Sequence, residues 1–149
     1  MADTPDPRVH ELVEERLRRS RQRYTHGRRS LVELLADAGR PVTIPEILEA
    51  DPQLSQSSVY RNLQILEQVD AVRRMLTPGS ESARFELAED LTAHHHHLIC
   101  SDCGTVADFR PSRGVEQALE RAVAEADDQD GFAADHHRLD LVGTCRECA

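Results

Sequence analysis

Two Cys-x-x-Cys pairs, Cys100/Cys103 and Cys145/Cys148, constrain this chain more than any other feature. Each pair brings two thiolates close enough to share one tetrahedral Zn2+, with Zn–S bonds of about 2.3 Å. Gly104, directly after the first pair, permits the tight turn that such a knuckle needs. The intervening residues must then fold so that their two ends meet at the metal. A lone Cys-x-x-Cys can be a dithiol switch. Two pairs instead predict a closed structural zinc site at Cys100, Cys103, Cys145 and Cys148. Residues 1–8 are polar, without the apolar stretch of a signal peptide, and no run of about 18 apolar residues predicts a membrane span. The expectation is a cytoplasmic protein, whose reducing surroundings favour metal thiolates over disulfides.

Immediately before the first pair stands His94-His95-His96-His97. In an extended segment side chains alternate. His94 and His96 therefore point one way and His95 and His97 the other, so that one run can serve two separate metal sites. Asp108, Glu116, His136 and His137 lie in the same region, and Glu86, Glu89 and Asp90 just before it. Imidazole with carboxylate suits Zn, Fe(II), Mn, Ni or Co without choosing among them.

The first half reads differently. A helix is predicted over 9–23 with apolar Val9, Leu12, Val13 and Leu17, and a second over 27–38, with Thr25 as its cap and Gly39 beyond its end. Thr43 and Glu46 form a capping-box pattern for a short third helix reaching residue 50, with Pro45 in its first turn. Ser55 opens a fourth, over 56–69. Residues 72–76 and 83–87 read as a hairpin around Thr77-Pro78-Gly79-Ser80. A helix–turn–helix followed by such a hairpin is a winged helix, whose second helix enters the DNA major groove.

The net charge of −9 argues at first against nucleic acid, but it is unevenly distributed. Residues 1–84 hold 13 Arg and 13 acidic residues; residues 85–149 hold 5 Arg and 14 acidic residues. Seven arginines fall between Arg16 and Arg29 with no acid among them. Phosphate contacts act within a Debye length of about 8–10 Å, so a local basic patch can hold DNA on an acidic protein. Ser57, Ser58, Tyr60 and Arg61 on the fourth helix, with Arg23 and Arg28 upstream, are the candidate DNA contacts.

After a linker at 88–93, short strands are expected over 98–100, 105–109 and 138–143, with an amphipathic helix over 113–126 turning Val115, Leu119, Ala122 and Val123 inward. The whole is an α+β chain: a winged helix-turn-helix domain at 1–87 and a small α/β domain at 94–149. A unit of that size is marginal alone and gains from metal and from pairing with a second copy.

The order Ser58-Val59-Tyr60-Arg61-Asn62-Leu63, Arg84-Phe85-Glu86-Leu87, His95-His96-His97-Leu98-Ile99-Cys100-Ser101-Asp102-Cys103-Gly104 and a closing Cys-x-x-Cys resembles the ferric uptake regulator family over about residues 10–148. The resemblance implies a homodimeric, metal-dependent repressor of metal-uptake genes, iron or zinc, that binds palindromic operator DNA. The second half would be its dimerisation domain. By position it implies structural zinc on the four cysteines and a hinge-side sensory site for a second divalent metal (Zn2+ or Fe2+, with Mn2+ and Ni2+ also open) at Glu86, His95, His97 and Asp108. It implies a further site at His94, His96, Glu116 and His137, and DNA contacts through Tyr60 and Arg61. Peroxide-, nickel- and manganese-sensing members share these ligand types. Two departures stand out: Pro41 replaces a histidine that many members supply, and the Phe-Glu-Leu block lies two residues farther from the His run than usual. Glu86, Glu89, Asp90, His10 and His26 are the alternatives for the interdomain ligand.

Two other classes compete. A zinc hydrolase needs an open coordination position and a general base, whereas a four-cysteine site is closed and no HExxH motif is present. A metal-storage module would leave the Tyr60/Arg61 helix and the Arg16–Arg29 cluster unexplained.

Overall fold

The computed structural model describes residues 7–149. The start of the polar N-terminal stretch lies outside the described residues.

Helix α1 (Val9–Arg19) buries Val9, Val13 and Leu17, one residue per turn on a single stripe. It stops short of the expected residue 23 because Arg21 takes a left-handed φ of 55° and Gln22 N–H returns to Leu17 O at 2.8 Å. Helix α2 (His26–Ala38) starts on the Thr25 cap and ends at left-handed Gly39. Strand β1 (Val42–Thr43) leads directly into helix α3 (Ile44–Ala50). The Thr43–Glu46 capping box forms in full, with Thr43 N–H donating to Glu46 Oε2 at 2.7 Å. Helix α4 (Gln56–Gln68) follows, with the Ser55 side chain accepting from Ser58 N–H.

Strands β2 (Val72–Met75) and β3 (Arg84–Leu87) form the wing, and β1 adds to its far side to give an antiparallel sheet in the order β1-β3-β2. The two-residue β1 is too short to carry a periodic sequence signal. One continuous apolar core joins these elements, with Leu31, Ile47, Val59, Leu63 and Leu66 essentially inaccessible. The start of the expected linker is anchored in the same core. Ala88 N–H donates to Ala71 O at 3.0 Å, and a single 3-10 turn (Glu89–Leu91) drives Leu91 completely out of solvent.

The second half contains β4 (His96–Cys100), β5 (Val106–Phe109), helix α5 (Arg113–Asp130) and β6 (Asp140–Gly143), in the sheet order β5-β4-β6. β4 and β5 are antiparallel, while β4 and β6 run parallel. The parallel pair needs a crossover, which β5 and α5 supply. Helix α5 runs four residues past its expected end. Of its apolar residues expected to face inward, Leu119 and Val123 are half-buried, whereas Val115 and Ala122 are exposed. Nothing in the described residues of this single chain covers that side. No helix among the described residues is long and apolar enough to cross a membrane.

Candidate metal centres and nucleic-acid face

The β4–β6 pairing carries Cys145 and Cys148 back to the knuckle at the end of β4, and the Sγ atoms of all four cysteines lie within 4.8 Å of one another. Cys103 Sγ and Cys145 Sγ are 3.8 Å apart. The edge of a tetrahedron with Zn–S bonds of about 2.3 Å is about 3.8 Å, so the sulfurs are spaced for one zinc ion. Gly104 N–H closes the knuckle onto Cys100 O at 2.9 Å. Cys145 N–H points at Cys100 Sγ at 3.3 Å. Hydrogen bonds from the backbone of Cys103 and Cys145 hold the Cys100 thiol down at about 6, which favours the thiolate that a metal requires.

The pleat of β4 divides the histidines as expected. On one side, Glu86 of β3 presents Oε2 to His95 Nε2 at 3.3 Å and His97 Nε2 at 3.1 Å. The other ring nitrogens are occupied: His95 Nδ1 by Ala93 O at 2.9 Å, and His97 Nδ1 by Asp140 Oδ1 at 3.3 Å. Such outer partners fix the ring orientation and leave Nε2 for a metal. Burial pushes the Glu86 carboxyl up, but hydrogen bonds from His95 and His97 outweigh it and hold it at about 2. The same contact raises His95 to about 9, against the opposing effect of burial.

Asp108 stands opposite His97 in the β4–β5 register but lies outside this three-residue convergence. It lines a small cavity with Glu86 and His95, and its Oδ1 is buried without a hydrogen-bond partner. Burial raises its pKa. Of the alternatives for the interdomain ligand, only Glu86 joins the His95/His97 group. Glu89 binds His94 Nδ1, Asp90 pairs with Arg16, and His10 lies 2.7 Å from the Tyr24 hydroxyl. Asp140 was invisible to sequence reasoning as a partner of His97, because the two meet only through the parallel β4–β6 register.

On the other face, three Nε2 atoms converge on one carboxylate. Glu116 Oε1 is 3.0 Å from His94 and 2.7 Å from His137, and Oε2 is 3.0 Å from His96. Burial, which raises the Glu116 pKa, is outweighed by these imidazoles.

On α4, Ser57, Tyr60 and Arg61 are exposed and line a groove with Arg74 of the wing. Arg23 is exposed as well, and Ser58 is half-buried with its Oγ accepting from Asn62 Nδ2 at 3.2 Å. Arg28 departs from the expected phosphate contact. It is buried, and it donates to Asn62 Oδ1 at 3.2 Å, to Gln22 Oε1 at 3.3 Å and to Arg23 O. A guanidinium withdrawn from water must satisfy its donors locally, and the bond to Asn62 braces α2 against α4.

The model of the ferric uptake regulator family matches residues 19–142. The chain is 33% identical to the peroxide operon regulator of Bacillus subtilis over 147 residues, 95% of each protein. The Helicobacter pylori ferric uptake regulator, described as having three functional metal-binding sites, superposes with a TM-score of 0.72 at 25% identity over 99% of this chain and 97% of that one. A zinc-bound manganese uptake regulator gives 0.61 at 30% identity over 92% and 98%.

Proposed function

The chain belongs to the ferric uptake regulator family, and from that premise we propose that it is a homodimeric repressor of metal-homeostasis genes that binds palindromic operator DNA when a divalent cation fills the hinge-side site. The observation that carries this is Glu86: it sits on the wing of the DNA-binding half yet meets His95 and His97 of the other half. The donor set fits a cation. Two Nε2 atoms and a carboxylate converge, and the orphaned Asp108 Oδ1 faces the same cavity. Zinc, iron, manganese and nickel all accept such donors. A bound cation supplies a fixed link between residues of the two halves. Glu86 and the histidines then hold the wing at one angle to the C-terminal half, and in a dimer that angle sets the spacing of two α4 helices against two half-sites. A 100-fold preference of the cation for the closed arrangement is worth about 2.7 kcal/mol. The four cysteines hold structural zinc, and His94, His96, Glu116 and His137 form a further site. A second copy covers exposed Val115, Leu141 and Val142. Residues 1–87 form the DNA-binding domain and 94–149 the dimerisation domain.

The test is a titration of a duplex selected from a random-sequence pool, with each candidate metal and with chelator, on wild type and on the double variant His95→Ala/His97→Ala. Wild type should require metal, and the variant should stay a dimer but lose the metal response. Equal binding by both proteins in chelator would remove sensing from these residues. The likeness to a peroxide operon regulator favours one specific extension, in which the cation is Fe(II). Exposure of the Fe(II)-loaded protein to peroxide would then add an oxygen atom to the peptide carrying His94–His97, whereas the Zn(II)-loaded protein would not change.

A further inference from the structure

The two halves also meet away from the hinge. The wing turn lies on the first cysteine knuckle. Gly104 O, next to Cys103, accepts Thr77 Oγ1–H at 3.1 Å and Arg84 Nε–H at 2.8 Å. The backbones approach so closely that both contact glycines are required. A Cβ on Gly79 (φ +74°) would collide with Ser101 O and lie 2.8 Å from Asp102 O, and a Cβ on Gly104 (φ +70°) would collide with Ser80 Cβ. Arg84 is buried, and its other arm reaches Glu46 Oε2 at 3.1 Å. That oxygen also accepts from Thr43 N–H and Oγ1–H, at 2.7 and 2.9 Å, in the capping box that starts α3. One guanidinium thus joins the knuckle to the first helix of the helix-turn-helix. Its rigid fork makes both contacts at once, which a lysine cannot reproduce.

We propose that Arg84 is a positioning residue through which the Cys100–Cys103 knuckle fixes the wing and, by way of Glu46, the helix-turn-helix, so that zinc loading of the four-cysteine site governs the placement of the DNA-binding half. Its consequence for operator affinity rests on the repressor reading above; the mechanical coupling does not. The hinge-side site and the knuckle then hold the same wing at two points: Glu86 at one, and Arg84 with Thr77 at the other. The left-handed turn of the knuckle accounts for Gly104 by itself, but a four-cysteine site that only stabilised its own half would have no need of a shared buried arginine or of a glycine at position 79 of the wing.

The test uses the full-length zinc-loaded dimer. Hydrogen exchange over 43–50 and 77–87 is followed by mass spectrometry, with zinc content, dimer mass and affinity for the selected duplex measured in parallel. The variants are Arg84→Lys, which keeps charge but not the fork, and Thr77→Val, which removes one hydroxyl and leaves Glu46 untouched. Both should retain zinc and the dimer. Exchange over 77–87 should rise about tenfold in each, over 43–50 only in Arg84→Lys, and duplex affinity should fall about tenfold. Stripping zinc from wild type with chelator should accelerate the same segments; in Arg84→Lys it should add little over 43–50, while 77–87, still tied through Thr77, should respond further. Unchanged exchange in both variants, or no response of 43–50 and 77–87 to zinc removal, would overturn the proposal. If exchange responds as described while wild type binds no duplex, the coupling stands and the repressor reading fails.

Discussion

The two halves of this chain are held together by different means. Residues from Val9 to Leu91 share one apolar core contributed by four helices and the wing. The second half buries little of its own: Ile99, Cys100 and Val106 on the apolar side, with His96 and His97 beside them. Of its other large apolar groups, Leu98, Val115, Phe132, Leu141 and Val142 stay exposed, and Phe109, Leu119, Val123 and Leu139 are only half-buried. The first half stabilises itself by removing aliphatic surface from water. The second has the ingredients of a unit completed from outside, by metal and by a second copy.

The sharpest way to break that contrast is Cys100→Ser. Structural zinc binding is worth about 10 kcal/mol or more in small metal-dependent folds, far above what the second half can supply alone. The variant should lose zinc and the dimer while the helical signal of the first half persists in circular dichroism. Normal dimerisation of Cys100→Ser in analytical ultracentrifugation would remove the four cysteines from their structural role.

The same truncation placed in each half probes the contrast more gently. Leu66 is fully buried, and Leu66→Ala should cost about 3 kcal/mol of stability at any protein concentration. Leu119 is only half-buried in the single chain. Leu119→Ala should therefore cost little in dilute protein and progressively more as the dimer forms, because association is linked to concentration. Thermal melts over a dilution series check both. Concentration-independent losses of equal size would mean that the second half has a core of its own.

The contrast also explains what could be read from sequence. The first half announces itself locally: the Thr43–Glu46 box, the Thr25 and Ser55 caps and Gly39 are short-range signals, and each forms. What escaped there is the two-residue β1, the left-handed stop at Arg21, and the burial of Arg28, which depends on Asn62, 34 residues away. In the second half the split of the His run follows from strand alternation alone. The partners do not: Asp140 reaches His97 through a parallel register, and Gly104 reaches Arg84 through docking of the wing. Neither separation leaves a periodic trace.

The smallest expected effect sits where the halves meet. Glu86 is held at about 2, below its ordinary range, so its contribution to stability is present above about pH 4.3 and is lost as pH falls through about 2. His95 is raised to about 9, so its contribution is complete below about pH 6.5 and is lost as pH rises through about 9. The metal-free protein should therefore draw most from this pair between about pH 4.3 and 6.5. A cation needs neutral His95, so it must displace that proton, and each unit of pH below about 9 should weaken apparent affinity about tenfold. Calorimetric titration in buffers of different ionisation enthalpy counts the released proton directly. Affinity that stays flat between about pH 6 and 8 would mean that His95 is not a ligand, and at the hinge side the link between the halves would then rest on Glu86 and His97.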